Sequence, residues 1–246
     1  MIRKIIYLFY QPYKWLFFFP FIILNTLFFG LMGVIIATLI SPKAASRWAG
    51  AIWARCNAFF TPMFVSVSGK ENIKKNTSYI IIPNHQSYYD IFLIYGWLEM
   101  DIKWVMKKEL RKIPALGIAS EKMGHIFLDR SNNKEALESL NKAKQKLVNG
   151  TSIVIFPEGS RSATGQLNPF KRGAFKLAFD LGLPILPVTL IGTKNILPSD
   201  SVNLLPGKVK MIIHEPVDIK KYSENEVRKL MSDVSDIISK PLKENL

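Results

Sequence analysis

The sequence predicts an α/β fold, with a mostly parallel central sheet flanked by helices and an N-terminal membrane-embedded helical segment ahead of it. Three observations carry that expectation. Residues 15–42 form a run of 28 without a charge, dense in Phe, Leu and Ile. Beyond Pro62, short β-branched runs begin to alternate with helical stretches. The chain has 246 residues, 48% of them hydrophobic, which suffices for one large core plus an appendage. The chain therefore divides into a membrane-associating helical segment, 1–61, and an α/β domain, 62–246.

The apolar run is flanked by Arg3, Lys4 and Lys14 on one side and by Lys43, Arg47 and Arg55 on the other. A membrane-spanning helix needs about 20 apolar residues, whereas a cleaved secretory signal has an apolar stretch of only about 7 to 15. The run is too long for a signal, and longer than the usual core helix. Positive charge on both flanks leaves the orientation open. With Pro20, Gly30 and Gly33 offering places to bend, two arrangements satisfy the pattern. One is a helical pair dipping into a single leaflet with both ends cytoplasmic; the other is a single span. Residues 46–60, SRWAGAIWARCNAFF, then read as an amphipathic helix with aromatics suited to the interface.

In the α/β part the predicted strands run from Phe64 to Ser68, Tyr79 to Ile82, Ile102 to Met106, His125 to Leu128, Ser152 to Phe156, Ile185 to Leu190 and Val209 to His214. The predicted helices run from Ile91 to Met100, Lys134 to Val148, Arg172 to Leu181 and Glu224 to Leu242. Asn132 or Asn133 caps the second helix and Gly150 follows it, with Leu137, Leu140 and Leu147 on its apolar stripe.

Chemistry concentrates where strands end, as expected for open α/β sheets. After the strand in YIIIPNHQSYYD come His85 and Asp90, five residues apart across a turn. Imidazole titrates near neutrality and can accept a proton, and a carboxylate on one ring nitrogen fixes its tautomer. The competing structural explanation is a satisfied turn and helix cap built from Asn84, Ser87 and Asp90. A second polar cluster, PEGSRSATG, follows SIVIF; there Glu158, Ser160, Arg161 and the Gly159 amide offer groups for a hydroxyl and a phosphate. An ordinary Pro/Gly/Ser turn explains the same residues if they stand alone. The cluster is neither a GxSxG elbow nor a P-loop.

Arg130, after GHIFLD, stands at the same sheet edge. His125 and Asp129 are an unsuitable dyad, because strand positions four apart lie roughly 13 Å from one another. The single Cys56 excludes an internal disulfide and points to a reducing compartment, and three histidines make a multi-histidine metal centre unsupported. The formal charge of +14 includes basic clusters at Lys103, Lys107, Lys108, Arg111 and Lys112 and at Lys171, Arg172 and Lys176. They suit phosphorylated substrates and anionic membrane lipid. A membrane-anchored basic binding module shares that charge, but no nucleic-acid motif accompanies it and it gives no reason for His and Asp beside the arginines.

Taken together, four blocks across roughly residues 84 to 190 resemble the 1-acylglycerol-3-phosphate O-acyltransferase family of the PlsC type. NHQSYYD is similar to its NHxSxxD block, GHIFLDR to its G-x-x-F-x-x-R block, FPEGSRS to its FPEGTRS block and LPILPVTL to its final Pro-containing strand. Ser160 stands where Thr is commoner and keeps the hydroxyl. The resemblance implies acyl transfer from acyl-CoA or acyl carrier protein to the free hydroxyl of a lysophospholipid such as lysophosphatidic acid, without a covalent intermediate, metal or cofactor. It implies His85 as base and Asp90 as its orienting partner. Arg130, Glu158, Gly159 and Arg161 would hold the glycerol phosphate, and Lys107 matches the family's lysine after the second strand. Acceptors such as glycerol 3-phosphate or lyso-ornithine lipid fit the same blocks. An amino-terminal membrane-embedding segment and an active site on the cytoplasmic face of the membrane are also implied.

Overall fold

The computed structural model describes residues 2–129 and 150–244. The predicted helix Lys134 to Val148 lies outside them, as do Asn132 and Asn133, while Gly150 is described and has φ +85°. The amino-terminal segment is α1 (Ile2–Tyr13), a π-helical turn (Lys14–Phe18) and α2 (Phe19–Leu39), which together make one long rod. Its stretch Tyr7–Leu39 has 33 residues and is long and apolar enough to cross a membrane. Ser41 then caps the short helix α3 (Pro42–Ala45) by accepting the Ala44 N–H. A second π-helical turn (Ser46–Gly50) leads to α4 (Ala51–Phe60), which returns along the rod. Asn25 Nδ2 donates to Asn57 Oδ1 at 3.1 Å, Trp53 Nε1 donates to Thr26 at 3.0 Å, and the Phe21 and Phe60 rings pack at 4.2 Å. The segment is thus a helical hairpin. Leu8, Phe9, Leu16, Leu24, Leu31 and Leu39 are exposed along its length. So continuous an apolar face marks the hairpin as membrane-associating.

The remainder forms β1 (Met63–Ser68), β2 (Ile80–Pro83), α5 (Tyr89–Trp97), β3 (Asp101–Lys107), α6 (Leu116–Lys122), β4 (Ile126–Leu128), β5 (Thr151–Val154), α7 (Gly173–Leu181), β6 (Ile185–Ile191), α8 (Thr193–Ile196), β7 (Gly207–Ile213) and α9 (Val227–Lys243). The seven strands lie in the order β1-β7-β6-β2-β5-β3-β4. Every pairing is parallel except β6 with β7. All seven predicted strands are present, within two residues at their ends. The sequence reading passed over α6, whose seven residues make too few turns to show a clear period.

The apolar run in β2 has a packing cause. Ile81 joins the core on one face of the sheet, and Ile80 and Ile82 join the core on the other. A central parallel strand is buried on both sides and reads as continuous hydrophobe. Truncating any of these three fully buried isoleucines to Ala should cost about 2–5 kcal/mol. The first core also contains Ala54 and Ala58 of α4, so it runs across residue 61 into the hairpin. Gly50 permits this close approach, because a Cβ there would overlap the Tyr95 ring.

Candidate active site

Pro83 ends β2, since it has no N–H for a ladder, and the chain turns through residues 84–88 into α5. Asn84 pins the turn to β6, its Nδ2 donating to Leu190 O at 2.9 Å and its Oδ1 accepting the Leu190 N–H at 2.7 Å. Ser87 Oγ donates to Leu197 O at 2.7 Å. Asn84 and Ser87 thus tie the turn to distant segments, beyond the local turn and cap that the sequence suggested for them.

His85 Nδ1 lies 2.8 Å from Asp90 Oδ2. The same oxygen accepts the N–H groups of Gln86 at 2.7 Å and Ser87 at 2.8 Å. Asp90 is fully buried in the first turn of α5, where the helix dipole favours an anion. An acceptor-only carboxylate at Nδ1 selects the Nδ1–H tautomer and leaves the lone pair on Nε2. Phe156 stacks on the imidazole at 3.8 Å with the planes 17° apart, which restrains ring rotation.

The loop after β5 braces this arrangement. Glu158 Oε1 accepts the His85 N–H at 2.6 Å, Glu158 Oε2 accepts the Asn168 N–H at 2.8 Å, and the Ser162 N–H donates to His85 O at 2.8 Å. His85 is thus held at its amide, its carbonyl and its ring. Burial pushes the Glu158 carboxyl up to about 7 against the pull of its two N–H donors. Both carboxylate oxygens face backbone N–H groups, and Glu158 is not among the residues that line the cleft described below. Gly159 sits at φ +76°, a conformation that an L side chain rarely adopts. Its N–H donates to Phe156 O at 3.2 Å, so the amide closes a turn, where the sequence reading offered it to a ligand.

Arg161 stands farther out. Its guanidinium lies 3.8 Å above the Tyr88 ring and 3.2 Å from Asp200 Oδ1. His85, Gly159, Arg161 and Lys107 at the end of β3 open onto one cleft of about 660 Å³. Trp53, Tyr95 and Trp104 line its deeper, apolar part. That part shares residues with a small pocket of about 60 Å³ between α2 and α6. The volume suits a ligand with a long apolar portion and a polar head. Arg130 lies outside the described residues.

The rejected pair is indeed separate: Asp129 faces Lys108 at 3.3 Å. His125 Nδ1 accepts the Trp104 N–H at 3.4 Å and Nε2 faces the Tyr95 hydroxyl at 3.2 Å. Desolvation, aided by the charge of Lys103, pushes His125 down to about 3, so it stays neutral. Sequence reasoning missed Phe156, Tyr88 and Asp200 as parts of the site. The first two lie within the quoted blocks, but aromatic residues there read equally well as core.

A family model described as acyltransferase matches residues 64–191. The chain is 35% identical over 169 residues to the chloroplastic 1-acyl-sn-glycerol-3-phosphate acyltransferase BAT2 of Brassica napus, covering 68% of this chain and 48% of that one. It is 33% identical over 224 residues to the 1-acyl-sn-glycerol-3-phosphate acyltransferase of Saccharomyces cerevisiae, covering 88% of this chain and 73% of that one. It thus spans about half the length of the plant relative and most of the yeast one. The crystal structure of the 1-acyl-sn-glycerophosphate acyltransferase PlsC from Thermotoga maritima superposes with a TM-score of 0.76 at 29% identity, over 99% of this chain and 94% of that one. With the model match reaching from β1 to β6 and taking in both polar blocks, the chain belongs to the acyltransferase family.

Proposed function

We propose that the chain is a 1-acylglycerol-3-phosphate O-acyltransferase, moving a fatty acyl group from an acyl thioester to the free hydroxyl of lysophosphatidic acid and giving phosphatidic acid. The observation that carries this reading is the 2.8 Å contact of His85 Nδ1 with Asp90 in a cleft that also holds Arg161. The names of the relatives support the acceptor.

In this reading His85 Nε2 takes the acceptor hydroxyl proton as its oxygen attacks the thioester carbonyl. Asp90 stabilises the imidazolium that forms. The tetrahedral intermediate collapses with cleavage of the C–S bond, and the imidazolium returns the proton to the leaving thiolate. The Gly159 N–H serves the oxyanion by trading its bond to Phe156 O for one to the developing charge, a trade that charge assistance favours. Arg161 and Lys107 take the acceptor phosphate, with Arg130 entering from beyond the described residues. Glu158 and Asp90 hold the base in place. The thioester donor is carried by coenzyme A or acyl carrier protein, and both arrive from the cytoplasmic face.

The hairpin supports a one-leaflet arrangement. Tyr7 and Lys14 near one end bond the loop that follows α8, and Phe60 at the other end leads into β1, so both ends meet the α/β domain. Its exposed apolar face then enters the bilayer beside the cleft, where lysolipid and product partition.

Purified full-length protein in phospholipid vesicles, offered each lysolipid and glycerol 3-phosphate with both thioester carriers, tests the proposal. The expected product is diacylated phosphatidic acid from lysophosphatidic acid. Acylation of glycerol 3-phosphate or of a phosphate-free lysolipid alone would replace it.

A further inference from the structure

The loop between α8 and β7, residues 197–206, touches both the cleft and the hairpin. Ser199 and Asp200 line the mouth of the cleft, and Asp200 Oδ1 sits 3.2 Å from Arg161. Two and three residues on, Val202 O accepts from Lys14 Nζ at 3.0 Å and Asn203 Oδ1 accepts from the Tyr7 hydroxyl at 3.0 Å. Lys14 is only 1% exposed, so its ammonium needs that carbonyl. It also lies 4.6 Å over the Trp15 ring. Asp200 itself occupies the left-handed region at φ +57°, which a non-glycine residue holds only when its surroundings impose it. The Ser199 hydroxyl donates to its second oxygen at 3.0 Å.

A carboxylate at this position competes for the guanidinium that the function above assigns to the acceptor phosphate. The Asp200 side chain is 82% exposed, and such ion pairs are weak enough to exchange. We propose that Asp200 is an internal counter-ion: it occupies Arg161 when the cleft is empty, yields to the acceptor phosphate, and returns to help expel the phosphorylated product. The hairpin sets its position through Lys14 and Tyr7. The inference rests on Arg161 as the phosphate-binding group.

The test is steady-state kinetics of the full chain in phosphatidylcholine vesicles, with lysophosphatidic acid as acceptor and phosphatidic acid as inhibitor. Asp200→Asn should lower the acceptor KM about two- to fivefold and the product inhibition constant by the same factor. Asn203→Ala, which releases the strap from Tyr7, should move both constants in the same direction and add nothing in the Asp200→Asn background. An unchanged or raised KM in Asp200→Asn overturns the counter-ion, and additive shifts overturn the strap. Arg161→Ala in the same assay separates the two readings. If it raises KM while Asp200→Asn fails to lower it, only the counter-ion falls; if it leaves KM unchanged, the phosphate site falls and the counter-ion with it.

Discussion

The two sides of the cleft are built by opposite rules. Around His85 the partners are buried and redundant: Asp90 is fully buried and Glu158 only 4% exposed, and between them they receive five hydrogen bonds. Around Arg161 the partners are a ring face and an exposed carboxylate, both exchangeable. A base must hold one orientation throughout a reaction, which rewards over-determined bonds in low dielectric. A headgroup site must admit and release its ligand, which rewards bonds nearly isoenergetic with their replacements. The comparison predicts large effects on kcat from the first side and modest effects on KM from the second.

The largest effect belongs to His85, the proposed base. His85→Ala should lower kcat by roughly 100- to 10,000-fold while vesicle binding by the hairpin is retained, as measured by acyl transfer and by co-sedimentation. Acyl transfer at the wild-type rate would defeat the assignment.

Next comes the brace. Glu158→Gln turns one acceptor into a donor facing a backbone N–H, and should lower stability by about 1–3 kcal/mol at the acid end of the range considered next. It should lower kcat with little change in KM. The wild-type pH dependence has a definite sign. With its carboxyl raised from 4.5 to about 7, folded Glu158 binds more proton than unfolded Glu158 in that window. Its contribution to stability therefore falls as pH rises from 4.5 to about 7. Denaturant unfolding of wild type and Glu158→Gln across this range should converge as pH increases; a gap that widens would mean the N–H donors outweigh burial.

On the opposite side, Arg161→Ala should raise the KM for lysophosphatidic acid about 10- to 100-fold with kcat nearly kept, since it removes charge-assisted bonds to the phosphate. A matching fall in kcat would place Arg161 on the reacting atoms instead. The smallest effect is expected from Tyr88→Leu, which removes the ring under the guanidinium and should raise the same KM about two- to fivefold. An effect as large as that of Arg161→Ala would show that Tyr88 contacts the ligand itself.

The sheet was legible because each strand has a local signature: β2 and β6 are nearly uninterrupted hydrophobe, and turn residues bracket them. The pairing of His85 with Asp90 was legible for the same reason, as both belong to one turn. What was not legible depends on segments meeting across the fold. Glu158 and His85 are 73 residues apart, and nothing in FPEGSRS states that the carboxylate turns inward to an amide instead of outward to a ligand. Asp200 reaches Arg161 across 39 residues from a loop without periodic pattern. The antiparallel β7 looks like any other strand, because alternation does not encode direction.

Since the turn bearing His85 is pinned by Leu190 and Leu197 and clamped by Glu158, no nascent polypeptide ending before these residues emerge can hold its imidazole in working order. The hairpin precedes all of these segments in the chain, so it can settle into lipid before the ring is held.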